Sequence, residues 1–309
     1  MILMILCTSC GSGTGGGDQA SPIPHLKYFG YVGIDVGYDD PLDAEVKTNY
    51  LDETAYFTNI AHIGVSDPST NIGPRLDAFA AHDVAGLLDL TPIFYEEVVP
   101  PIDITGSGVD LRLRSDYIAR WNQLRTNSDF ASRLSTIGCF YLCDEPTWRG
   151  VTASELALQA NVIQATYPTV PTLVVEAYPA INLLVIPASV DWIAFDRYFI
   201  LDPSTDGNYL KDLADLKSKR SSLAQKIVLI LDGQWLPGHG YPETDMAQVA
   251  TNYYRLASTD PEIVGLIGYL WPGGVDGPTS LGTRNMPIEV QAEHVRIGRA
   301  ITGKRGVPN

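Results

Sequence analysis

Short apolar and aromatic runs alternate with amphipathic stretches along most of the chain, and this pattern predicts strands separated by helices. The runs are Lys27–Asp35 (KYFGYVGID), Asn59–Val65 (NIAHIGV), Ala85–Tyr95 (AGLLDLTPIFY) and Thr136–Cys143 (TIGCFYLC), then Pro171–Glu176 (PTLVVE), Trp192–Asp196 (WIAFD), Lys226–Asp232 (KIVLILD) and Ile263–Leu270 (IVGLIGYL). Near-continuous apolar runs such as VLIL suit strands covered on both faces, as in a parallel sheet. Helical patterns fall between them at Asp116–Leu124, Thr152–Ala165, Tyr209–Leu223, Asp245–Leu256 and Ile288–Ile301. Thr152-Ala153-Ser154-Glu155 reads as a capping box, and Gly303 closes the last helix. Eight strands alternating with helices predict an α/β fold, a single (β/α)8 TIM barrel over 23–309 after a leader over 1–22. An open doubly wound sheet is the runner-up, but no Gly-x-Gly-x-x-Gly follows the first strand. The stretch Glu96–Ser115, with Pro100-Pro101, Gly106 and Gly108, reads as a loop over the barrel mouth.

The leader looks like an address. Met1–Leu6 are apolar, Cys7-Thr8-Ser9-Cys10 follow, and then a Gly/Ser tether. This resembles a bacterial lipoprotein signal with Cys10 as the lipidated residue, although the apolar run is short and no Lys or Arg precedes it. The expected protein is therefore exported, lipid-anchored through Cys10 or secreted, and meets a membrane only through that anchor. No apolar run reaches the ~18 residues of a membrane helix. Cys139 and Cys143 share one strand, where four residues span ~13 Å, too far for a disulfide, so both are expected as buried free thiols.

Charge narrows the partners. Among 309 residues, 21 Lys and Arg stand against 36 Asp and Glu, a net charge of −15. That excludes a basic footprint for nucleic acid and disfavours anionic sugars. No His-x-His or His-Glu-x-x-His cluster is present, Cys139 and Cys143 do not form a Cys-x-x-Cys pair, and neither a metal nor another cofactor is expected. No Gly-x-Ser-x-Gly elbow marks a serine hydrolase.

In a barrel of this kind the site lies at the C-terminal ends of the strands. Here those ends are rich in acids and aromatics: Asp35, Tyr95, Asp144-Glu145 with Trp148, Glu176 with Tyr178, Asp196 with Tyr198, Asp232 with Gln234-Trp235, and Trp271. Glycosidic cleavage needs two carboxyl groups, one to protonate the leaving oxygen and one to attack or to activate water. Aromatic faces suit the C–H faces of sugars. The alternation of side chains along a strand sends Asp144 and Glu145 to opposite faces unless the strand ends or twists there. His62, mid-strand, reads as a core histidine. His239, above the seventh strand, is a candidate substrate contact.

The segment Phe140–Pro146 (FYLCDEP), with Tyr269–Gly274 (YLWPGG) on the eighth strand, resembles secreted barrel glycoside hydrolases. The large retaining clan has Asn-Glu-Pro at the end of strand four, and its Glu is the general acid/base. Asp-Glu is closer to barrels related to substrate-assisted N-acetylhexosaminidases, in which the Asp orients the substrate's acetamido group. The resemblance implies Glu145 as general acid. The partner carboxylate is expected at Asp232 first, by strand position, then at Asp196, which Arg197-Tyr198 follows as in many sugar-binding sixth strands, then at Glu176 and Asp35, with Asp144 alongside. The chain departs from the retaining clan at Asp232, where that clan has Glu.

Two functions follow as expectations. One is an exported glycoside hydrolase acting on an oligo- or polysaccharide. The other is a non-catalytic carbohydrate-binding barrel with a degenerate site. A weaker third, a scaffold for protein contacts, predicts a mouth plugged by Glu96–Ser115.

Overall fold

Eight parallel strands close on themselves: Tyr28–Asp35, Ile60–Gly64, Ala85–Asp89, Ile137–Asp144, Thr172–Ala177, Trp192–Asp196, Lys226–Asp232 and Ile263–Tyr269, the last pairing with the first. The computed structural model describes residues 23–99, 101 and 106–307. The leader and its Cys10 lie outside the described residues. The chain from 23 on is thus the (β/α)8 barrel that the alternation predicts.

Two apolar layers build it. Inside the ring lie Ile60, Leu87, Cys139, Tyr141, Leu173, Val175, Trp192, Ala194, Val228, Ile230 and Ile267. Between sheet and helices lies a larger core that includes Phe29, Phe57, Trp121, Phe140, Ile193, Leu229 and Tyr253. Both faces of each strand are therefore buried, which is why the runs read as continuous. Cys139 and Cys143 are buried free thiols, as expected.

The helices include Tyr117–Asn127, Ala153–Thr166, Met246–Thr259 and Ile288–Thr302, close to their expected bounds. The Thr152 capping box forms, and Gly303 takes the left-handed φ of 73° that ends the last helix. Gly207–Ser218 stops earlier than expected. Gly73–Ala81, which the pattern does not announce, follows the second strand. After the fifth strand stands only a 3-10 turn, Tyr178–Ala180. Among the described residues no helix is long and apolar enough to cross a membrane.

One strand boundary differs from expectation, with consequences for the site. The third strand ends at Asp89, not at Tyr95. Thr91–Phe94 is a helical turn with Pro92 in its first positions, where the missing N–H is harmless. Tyr95–Val98 then pairs antiparallel with Asp110–Leu113 as a separate hairpin. None of the described residues of Glu96–Ser115 lines the barrel-mouth cavity, so among them nothing plugs it.

Candidate active site

The C-terminal mouth of the barrel encloses a cavity of about 660 Å³. Its floor is the upper layer of the barrel interior: Val32, Leu87, Leu173, Val175, Ile230 and Ile267. Its polar wall is Asp89, Asp144, Glu145, Asp196 and Asp276, with His62, Arg149 and Gln234. Tyr198 and Tyr269 line it too and stack, their centroids 5.3 Å apart and their planes at 28°.

The neighbours Asp144 and Glu145 both reach this cavity because the fourth strand breaks its alternation twice. Tyr141 pairs with Leu173 and Cys143 with Val174, so one extra residue bulges out at Leu142. Tyr141 points inward, Leu142 and Cys143 outward, and Asp144 inward again. Glu145 then takes a left-handed φ of 49°, which costs a non-glycine residue on the order of 1–3 kcal/mol and turns its side chain back to the cavity. The bend is held from the fifth strand. Glu145 N–H donates to the Val175 carbonyl at 2.8 Å, and the Glu176 carboxylate accepts the N–H groups of Thr147 and Trp148 at 2.9 and 3.1 Å.

The carboxyls in the cavity perturb one another. Glu145 and Asp196 lie within hydrogen-bonding reach of each other. Burial and the charge of Asp144 raise Glu145, and burial with the charges of Glu145 and Asp144 raises Asp196 further. The pair therefore titrates as a unit rather than as two separate acids. Asp144 is also raised. Loss of water around its carboxyl and the charge of Asp89 outweigh a hydrogen bond from the Tyr141 hydroxyl and the nearby Arg149, 4.0 Å away. Asp89 goes the other way: burial would raise it, but bonds from His62 and Thr91 bring it below the usual carboxylate range. His62 Nδ1 accepts the Gly33 N–H at 3.2 Å, so Nε2 carries its proton and faces Asp89 at 3.8 Å.

Several expected site residues lie elsewhere. Asp232 points to the barrel axis, as its strand position implies, but it is 0 % exposed. The Phe199 N–H, donated at 2.9 Å from a left-handed residue, and His239 Nε2 at 3.3 Å seal it. His239 is thereby buried and misses the cavity. Glu176 is likewise 0 % exposed, pushed up to about 7 by burial against its three backbone donors. Asp35 turns to Arg75, with Nε at 2.6 Å. Tyr95 is buried beyond the third strand with its hydroxyl on Gln159 at 2.9 Å, because the strand ends six residues before it. Trp271 packs on Tyr31 and Phe57 and donates Nε1 to Glu53 at 2.7 Å. Trp235 donates to the Tyr241 carbonyl, Tyr178 lies outside the mouth under Arg197, and Trp148 sits in the loop that Glu176 clamps; none lines the cavity.

Of the expected residues, the cavity thus gathers Asp144, Glu145, Asp196, Tyr198 and Gln234, and it adds His62, Asp89, Tyr141, Arg149, Tyr269 and Asp276. Asp89 was hidden by the misplaced end of the third strand. His62, expected in the core, stands at the cavity wall because the second strand is short. Among the described residues no group of three or more His, Cys, Asp or Glu side chains is arranged to hold a metal ion.

No family model and no curated protein sequence matches the chain. Solved structures do. A glucosidase from Croceicoccus marinus superposes with a TM-score of 0.60 at 11% identity, over 91% of this chain and 69% of its own. Xylanase 10C from Cellvibrio japonicus, solved with xylopentaose, gives 0.55 at 10% identity over 93% and 69%. Gas2p from Saccharomyces cerevisiae, solved with laminaritetraose and laminaripentaose, gives 0.55 at 11% identity over 89% and 64%. The chain spans about two thirds of the length of these proteins, and across that span it has the barrel fold of these glycoside hydrolases.

Proposed function

We propose that the protein is a glycoside hydrolase cleaving an oligo- or polysaccharide by carboxylate acid/base catalysis. The observation that carries this reading is that Glu145 and Asp196, carboxyls from the ends of strands four and six, line one accessible cavity at the active end of the barrel, close enough to perturb each other. Glu145 is the general acid and Asp196 its partner, with Asp232 removed from that role by its burial. Glu145, protonated, gives its proton to the leaving oxygen as the glycosidic bond breaks, while Asp196, ionised, attacks the anomeric carbon or takes a proton from the water that does. The stacked Tyr198 and Tyr269 offer a platform for a sugar face. The test is hydrolysis of a panel of aryl glycosides and polysaccharides by protein starting near Ser21, with Glu145→Gln and Asp196→Asn alongside. Turnover abolished by both substitutions is the expected result; turnover that survives either one removes that residue from the chemistry.

A second reading, a carbohydrate-binding barrel without turnover, is favoured by the contact between Glu145 and Asp196. Working pairs stand ~5–5.5 Å or ~6.5–9.5 Å apart, whereas Glu145 and Asp196 lie within hydrogen-bonding reach. Sugar binding without turnover on the whole panel would support it.

Export through a lipid anchor at Cys10 is part of the proposal. It is supported by the apolar start, the cysteine and the Gly/Ser tether. Labelling with a radioactive fatty acid should mark the wild type and spare Cys10→Ser.

A further inference from the structure

The cavity is unbalanced in charge and in hydrogen-bond capacity. Five carboxyl groups line it, and among its described lining residues Arg149 is the one permanent cation. The His62 imidazole, its Nδ1 occupied by the Gly33 N–H, faces Asp89 at 3.8 Å and is spent on that one carboxyl. Around Tyr269 the excess is local. Its hydroxyl donates to Asp276 at 3.3 Å, and Asp144 and Asp196 lie close enough for their charges to act on it. A second observation points the same way without involving charge. Gln234 is 3 % exposed, lines the cavity, and its Oε1 has no hydrogen-bond partner among the described residues. A buried acceptor left unpaired costs about 1–3 kcal/mol, so it calls for a donor from whatever fills the space. Carboxylates accept and cannot donate once ionised. A neutral sugar supplies hydroxyl donors but leaves the charge uncompensated, an acidic sugar adds to it, and an N-acetylated sugar brings a carbonyl acceptor. A hexosamine with a free amine supplies both the positive charge and three donors at one atom.

We propose that the sugar this cavity takes is a cationic hexosamine unit, its ammonium seated among Asp144, Asp196 and Asp276 beside Tyr269. This rests on the glycosidase reading of the same cavity and names its substrate class. Bound there, the ammonium neutralises the field between strands four, six and eight, and the sugar's hydroxyls can reach Gln234. The net charge of −15 attracts such a substrate over distance as well.

The experiment is calorimetric titration with four-sugar probes: the glucosamine tetramer at a pH that keeps its amines protonated, its fully N-acetylated counterpart, and cellotetraose. The expected result is one glucosamine tetramer per protein, bound about tenfold or more tightly than either neutral probe and weakened by added salt. Asp276→Asn, at an exposed position where the fold is not at stake, should reduce the preference, and Gln234→Ala should weaken whichever probes bind without changing their ranking. Neutral tetramers bound as tightly as the cationic one would overturn the inference and leave the glycosidase reading to its own hydrolysis test. Glucosamine binding unchanged in both variants would also overturn it, since the attraction would then be to the acidic surface at large. Binding of none of the three would overturn it too, and a silent hydrolysis panel would take the glycosidase reading with it.

Discussion

The ends of the fourth and seventh strands differ in a way their sequences do not suggest. Each carries an acid at the top of a barrel strand, where a glycosidase would keep its working pair. On the fourth strand a bulge and a left-handed residue swing Asp144 and Glu145 into the cavity. On the seventh, Asp232 keeps the regular inward direction and is sealed by the Phe199 backbone and by His239. In each case a left-handed residue decides: Glu145 turns its own carboxyl outward to the cavity, whereas Phe199 turns its N–H down onto another residue's. An acid in the right register is thus necessary for a site but not sufficient. What covers it comes from a different strand.

The largest test of this difference is loss of turnover. Glu145→Gln should lower kcat by about 10²–10⁴-fold, the usual contribution of a positioned acid, with an unchanged melting temperature. Asp144→Asn removes a negative neighbour that helps raise Glu145. Deprotonation of Glu145 then becomes easier, and the alkaline limb of the pH–rate profile should move to lower pH. A limb that stays put would take Asp144 out of the electrostatics of the acid.

Sealed acids should instead answer in stability. For Glu176 the folded value of about 7 lies above its ordinary 4.5, so the folded state holds the proton more tightly than the unfolded state. Its favourable contribution is complete below about pH 4.5 and is lost as pH rises through about 7. The loss amounts to at most roughly 3 kcal/mol. Glu176→Gln should flatten the stability profile across that window in urea titrations. Asp232→Asn keeps an acceptor for the Phe199 N–H but alters the contact with His239. A destabilisation of about 1–3 kcal/mol is expected, with the residual turnover of the folded fraction near wild type. A variant as stable as the wild type but inactive would return Asp232 to the chemistry. The smallest effect belongs to Tyr95→Phe, which removes one buried bond to Gln159, about 1 kcal/mol by thermal melt, and leaves the cavity untouched.

Legibility followed the range of the interactions. The eight runs announced the barrel because each strand is buried on both faces, a property written residue by residue. The capping box at Thr152 and the stop at Gly303 were equally local. Trp271 and Trp235 read as sugar platforms, but an indole is as well served by a core with one hydrogen bond, and Glu53 and the Tyr241 carbonyl supply those. Asp276, seven residues past Tyr269 at the end of the eighth strand, joins the cavity only because the loop after that strand brings it to the Tyr269 hydroxyl.

The sequence by itself determined the number, order and parallel character of the strands, the cap at Thr152 and the stop at Gly303, and the place of Glu145 at a strand terminus, since these rest on periodicity and local backbone preference. Only the tertiary structure decided which acids meet. Asp196 faces Glu145 across the mouth, Asp232 lies under Phe199, and Asp89 joins His62, because solvent access and proximity between strands are set by register, bulges and loops from elsewhere in the chain.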